Sequence, residues 1–143
     1  MGFRKETMSA SVCRELHTAV LLCIDDDEDV LQCEKSFLES FGYTVLTAAS
    51  GGKGLELASM QSVDVVIVDY LMPEMNGHEV AMEMRRLKPR APIIMLSAAI
   101  DVPEQALKLV DAFIAKERLA SQLLPMIAQL HESGSTLLSS YDA

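Results

Sequence analysis

Two short runs in this chain contain no polar residue at all: Ala19-Val20-Leu21-Leu22-Cys23-Ile24 and Val65-Val66-Ile67-Val68. Each is too short for a buried helix and too continuous for a strand with one wet face. A strand reads this way when both of its faces are covered, as in a parallel sheet between helical layers. Ile93-Ile94-Met95-Leu96 repeats the pattern. Between the runs the period changes. Val30, Cys33, Phe37, Leu38 and Phe41 recur at helical spacing, and Gly42 follows as a C-terminal signal.

The alternation continues along the chain. Strands are expected over 19–24, 43–48, 63–69, 92–97 and 111–115. Helices are expected over about 30–41, 50–60, 77–87, 102–110 and 121–131, the last with Ser121 as N-cap and Pro125 just past its first turn. Five strand–helix units predict an α/β layer fold with a doubly wound, five-stranded parallel sheet and helices on both faces. Residues 1–18 read as an N-terminal extension, 19–131 as the domain and 132–143 as a flexible C-terminal tail. The sequence leaves no room for a second domain, and 143 residues suffice for one core without staples.

Charge narrows the function classes. Twelve Lys and Arg stand against 21 Asp and Glu, a net charge of −9. Nucleic acids and anionic membranes are bound by basic surfaces, so neither direct DNA binding nor membrane association is expected. No apolar stretch approaches the ~20 residues of a membrane span. The N-terminus lacks a secretory h-region, and Glu6 stands where a myristoylation motif has Ser or Thr. Three cysteines without metal-ligand spacing fit a reducing, cytoplasmic setting.

In a doubly wound sheet, ligands bind outside the carboxyl ends of the strands. The expected strands end at Asp25-Asp26, Asp69, Ser97 and Lys116, while the second ends at plain Ala48-Ala49. Taken singly, each residue has an ordinary explanation, such as acidic side chains favouring a helix N-terminus. Together they form one complementary rim. Clustered carboxylates repel unless a cation joins them. With no His or Cys on the rim, the cation is a hard one, Mg²⁺, with Mn²⁺ meeting the same requirement. An Asp beside such an ion is a nucleophile toward phosphorus, with Lys116 and Ser97 supplying charge and a hydrogen bond.

These residues resemble the receiver domain of two-component response regulators, including the single-domain chemotaxis type. The matching stretches are Leu21-Leu22-Cys23-Ile24-Asp25-Asp26, Val66-Ile67-Val68-Asp69-Tyr70-Leu71-Met72-Pro73-Glu74-Met75-Asn76-Gly77, Pro92-Ile93-Ile94-Met95-Leu96-Ser97-Ala98 and Asp111-Ala112-Phe113-Ile114-Ala115-Lys116. The most specific is the block in which Asp69 is followed by Pro73 and Gly77. The resemblance implies a flavodoxin-like strand order of 2-1-3-4-5. It implies Asp69 as acceptor of a phosphoryl group from a histidine kinase or a His-containing phosphotransfer protein. Asp26 directly, Asp25 through water, Asp69 and the backbone carbonyl of Leu71 would hold Mg²⁺. Lys116 would pair with phosphoryl oxygens, Ser97 would swing toward them, and Phe113 stands at the place of the family's switch aromatic. Output would be a shift between two surfaces around the fourth helix, fifth strand and fifth helix, toward a downstream protein target. The implied protein is a stand-alone signalling module rather than an enzyme, as a monomer or a dimer.

The sequence departs from the family in three places. Glu117 replaces the proline that usually follows the lysine. The stretch from Ser97 to Lys116 is about three residues short, and the usual Gly before the fifth strand is missing, so the fourth helix is expected to be short or reshaped. Two competing readings remain: a haloacid-dehalogenase-type phosphatase using Asp25 and Asp27, and a binding module of the same fold that takes no phosphate. The phosphatase reading lacks the Thr or Val expected after Asp-x-Asp and leaves Asp69 without a role. Finally, Leu71 and Ala99 are apolar where the family's polar groups position the hydrolytic water. The expected outcome is slow loss of the phosphoryl group, measured by following the phosphorylated mass over time. A lifetime of seconds would contradict it.

Overall fold

The computed structural model describes residues 19–98 and 102–142, with side chains described as far as residue 131. Five strands, β1 (Val20–Ile24), β2 (Thr44–Ala48), β3 (Val65–Asp69), β4 (Ile93–Ser97) and β5 (Ala112–Ala115), form one sheet. The order is β2-β1-β3-β4-β5 and every neighbouring pair is parallel. The chain moves outward from β1 to β2, then returns past β1 to β3. That reversal opens a crevice at the carboxyl ends of β1 and β3, where such folds bind ligands.

The helices are α1 (Glu28–Glu39), α2 (Gly51–Met60), α3 (Gly77–Leu87), α4 (Glu104–Lys108) and α5 (Leu119–Asp142), the last preceded by a 3₁₀ turn at Lys116–Arg118. Successive strand residues point to opposite faces, so each apolar run feeds two cores at once. Leu21, Cys23, Val65, Ile67, Ile94 and Leu96 pack with Leu31 and Leu38 of α1 and Leu123 and Ile127 of α5. Leu22, Ile24, Val66, Val68 and Ile93 pack with Ala58 of α2 and Val80, Ala81 and Met84 of α3. This is why the runs carry no polar residue.

Helix starts are set by short polar side chains. The Asp27 side chain accepts from the backbone N–H groups of Asp29 (3.0 Å) and Val30 (3.3 Å) at the start of α1. Ser50 caps α2 by accepting from Lys53 N–H at 3.2 Å. Asn76 and Glu79 form a reciprocal capping box on α3, both bonds 3.0 Å. At the other end of the sheet Arg85 acts as a clasp. Its guanidinium donates to the carbonyls of Leu109 (3.1 Å) and Ala91 (3.3 Å) and to the Asp111 carboxylate (2.5 Å). Asp111 in turn accepts from Ile93 N–H at 2.8 Å.

Three expectations change. Helix α1 buries Leu31, Glu34 and Leu38, so of the expected stripe of Val30, Cys33, Phe37, Leu38 and Phe41 only Leu38 is fully buried. Phe37 and Phe41 lie outside the core with 38 % and 56 % exposure, edge to face at 5.3 Å. Ser121 is no N-cap, because the 3₁₀ turn runs straight into α5, and its hydroxyl donates to the Arg118 carbonyl at 3.2 Å. The α5 backbone is helical through Asp142, beyond the expected end at 131, across the span expected as a flexible tail. No proline interrupts it there, and the single Gly134 costs only about 1 kcal/mol. The short fourth helix is present, five residues long.

Gly77 lets α3 start against the end of β3. A Cβ there would lie 2.7 Å from the Asp69 carbonyl oxygen and 2.8 Å from Tyr70 Cα. Both neighbours are backbone and yield little. Gly77→Ala is therefore expected to destabilise the fold by about 1–3 kcal/mol, read as a lower urea midpoint. An unchanged midpoint would contradict the close approach.

Candidate functional site

The parallel register brings the polar strand ends to one rim. Asp25 directly follows β1, Asp69 ends β3, Ser97 ends β4 and Lys116 directly follows β5. Asp25, Asp69 and Ser97 are buried, with 1 %, 4 % and 1 % exposure, whereas Asp26 is exposed at the mouth. Three local bonds hold this layout. Asp25 N–H donates to the Ala48 carbonyl at 3.1 Å, and Tyr70 N–H to the Leu96 carbonyl at 2.8 Å. The Asp25 carboxylate itself accepts from Asp27 N–H at 2.9 Å.

Lys116 ties the rim together. Its Nζ lies 3.2 Å from Asp25 Oδ2 and 3.3 Å from Asp69 Oδ1. One carboxylate oxygen each from Asp25, Asp26 and Asp69 fall within 4.8 Å of one another, close enough to share one ion. All are hard oxygen donors, with no sulfur or imidazole in the cluster, and that donor set fits Mg²⁺. Asp27 does not join it, because its side chain is engaged in capping α1. Phe113 is half-buried in β5, in register with Met95 of β4. Leu71, two residues past Asp69, is 56 % exposed. Ala99, its apolar counterpart in the sequence reading, lies outside the described residues.

Proton affinities record the crowding. Burial, and then the charge of Asp25, push the Asp69 carboxyl up to about 6, against the opposing pull of Lys116. Burial pulls the Lys116 ammonium down, but Asp69 and Asp25 outweigh it and leave its pKa raised. A fourth carboxylate sits behind the cup. Glu34 of α1 is 5 % exposed and is pushed up to about 7, by burial first and Asp25 second. Beside it the Cys23 thiol is held well above its usual range by burial and by Glu34. Sequence reasoning missed Glu34, although its spacing from Leu31 and Leu38 marks the buried face.

The chain was compared with known proteins. A family model described as the response regulator receiver domain matches residues 21–128. The transcriptional regulatory protein GlrR of Escherichia coli is 40% identical over 86 residues, 60% of this chain and 19% of that protein. The response regulator SaeR of Staphylococcus aureus is 37% identical over 78 residues, 54% of this chain and 34% of that protein. The aligned region is thus a fifth to a third of these curated relatives. Among solved structures, TrrA of Thermotoga maritima, in complex with Mg²⁺ and BeF, superposes with a TM-score of 0.75 at 29% identity, covering 79% of this chain and 99% of that one. The Vibrio cholerae chemotaxis protein CheY4 superposes with a TM-score of 0.73 at 28% identity, covering 79% of this chain and 98% of that one.

The raised carboxyls carry a pH signature. Asp69 and Glu34 hold a proton more tightly in the fold than the ordinary values of 3.8 and 4.5, up to about 6 and about 7. Protonation therefore favours the folded chain, and that advantage drains as pH rises through this window. In EDTA, their contribution should make stability fall from about pH 4 to about pH 7 and then level off. Urea midpoints across this range are expected to fall less steeply in Asp69→Asn and in Glu34→Gln. An equally steep profile in both variants would contradict the assignment.

Proposed function

Because this chain belongs to the response regulator receiver domain family, we propose that it is a phosphorylation switch with Asp69 as the acceptor. The observation that carries this reading is the bridge from Lys116 to both Asp25 and Asp69, with Asp26 completing the acidic cluster. The Asp69 carboxylate attacks the phosphorus of a phosphohistidine on a sensor kinase or phosphotransfer protein. The P–N bond breaks, an acyl phosphate forms on Asp69, and the imidazole departs. Lys116 follows the charge from the carboxylates onto the phosphoryl oxygens, and Ser97 at the end of β4 turns its hydroxyl toward them. Asp25, Asp26, Asp69 and the Leu71 carbonyl would hold Mg²⁺, which when bound would supply charge neutralisation for phosphoryl transfer. Ser97 and Phe113 pass the change to the surface around α4, β5 and α5, where a downstream protein reads it.

The chain is a signalling domain rather than a classical enzyme. The capping role of Asp27 speaks against its use as an acid–base in a phosphatase. A net charge of −9 supports output by protein contact rather than by direct DNA binding of this domain. No helix among the described residues is long and apolar enough to cross a membrane. We place the receiver domain within residues 19–131 and in the cytoplasm, flanked by an N-terminal extension and a C-terminal segment.

The deciding experiment uses acetyl phosphate and Mg²⁺. Intact mass is expected to rise by one phosphoryl group, and EDTA or Asp69→Ala is expected to abolish the gain. No gain at saturating donor would overturn the proposal.

A further inference from the structure

A groove of about 500 Å³ runs between α1 and the start of α5. Its apolar walls are Val30, Cys33 and Phe37 on one side and Leu119, Ala120 and Leu123 on the other. Its polar lining is Asp29, Glu34, Lys116 and Glu117. A mostly apolar cleft with a few convergent polar groups, in the range of roughly 300–1,000 Å³, is the usual form of a small-molecule site.

The second observation is Glu34. This side chain lines the groove and is 5 % exposed, yet its Oε2 has no hydrogen-bond partner among the described residues. A buried carboxyl oxygen without a partner is costly, and a donor in the groove that meets it after a turn of the Glu34 side chain removes that cost. The charge balance says which donor. Three carboxylates line the groove against one lysine, and Lys116 is already engaged with Asp25 and Asp69. Asp29 and Glu117, both exposed, make the rim of this apolar groove negative.

We propose that this groove binds a small amphiphilic amine, with its apolar body between Phe37 and Leu123 and its ammonium on Glu34. The inference is independent of phosphorylation at Asp69. Because Lys116 is shared by the groove and the acidic cup, an occupant here also touches the site's only bridging cation among the described residues.

Phenylbutylamine and phenylbutanol test it, titrated into the isotopically labelled full chain without Mg²⁺ and followed by amide NMR shifts. The amine is expected to move Val30, Cys33, Glu34 and Leu123 and to bind on the order of tenfold tighter than the alcohol. Glu34→Gln should bring the two within about twofold of each other, since the charge-assisted bond is what separates them. Ala120→Trp, at an exposed position, should fill the groove and remove both while leaving Glu34 intact. Equal affinities for amine and alcohol in the native chain would overturn the proposal, as would shifts confined to Asp25, Asp26 and Asp69. A lysine-bearing amphipathic helical peptide that moves these amides where the amine does not would also overturn it, in favour of a protein-docking groove.

Discussion

The structure turns on one ammonium group. Asp25 and Asp69 are both buried at the rim, and Asp26 stands close by. Carboxylates packed this tightly disfavour one another's ionised forms. Lys116 reaches in from the end of β5 and meets both buried groups. It does so without cancelling the cost, since burial first and the charge of Asp25 second keep Asp69 pushed up to about 6. The cup is therefore a place of stored electrostatic tension, relieved only in part by the protein's own cation. The cluster is thus an electrostatic setting that a divalent cation would relieve further.

Much of this was legible in the residues. Runs with no polar member could only be strands covered on both faces, and the two cores fed by alternate residues of β1 and β3 confirm that reading. Because parallel strands end together, the residue after each run had to reach the rim, and Asp25, Asp69, Ser97 and Lys116 all do. Within the acidic run the same rule singles out Asp25, since only the residue next to the strand is buried. The strand order itself came from family resemblance, because crossover direction leaves more than one arrangement.

The rest depended on tertiary geometry. The expected α1 stripe of Val30, Cys33, Phe37, Leu38 and Phe41 shares only Leu38 with the buried face of Leu31, Glu34 and Leu38. Which residues face inward depends on how the helix rolls against the sheet, and hydropathy alone finds Leu38 but turns the rest of the stripe too far toward Phe37 and Phe41. Glu34 is invisible to that reading because a charged residue is scored as solvated. The α5 start was misplaced because the turn after β5 needs no side-chain cap.

The Arg85 clasp sits far from the chemistry, yet it shapes what the domain can do mechanically. One flat, five-donor guanidinium rivets the carbonyls of Leu109 and Ala91 to Asp111, and Asp111 also grips the first residue of β4. The feet of β4 and β5 are thereby welded to α3. A lever pinned at its base moves most at its tip. The tips of β4 and β5 carry Ser97 and Lys116, so any tilt of these strands about the clasp would be felt at the polar rim rather than at the base.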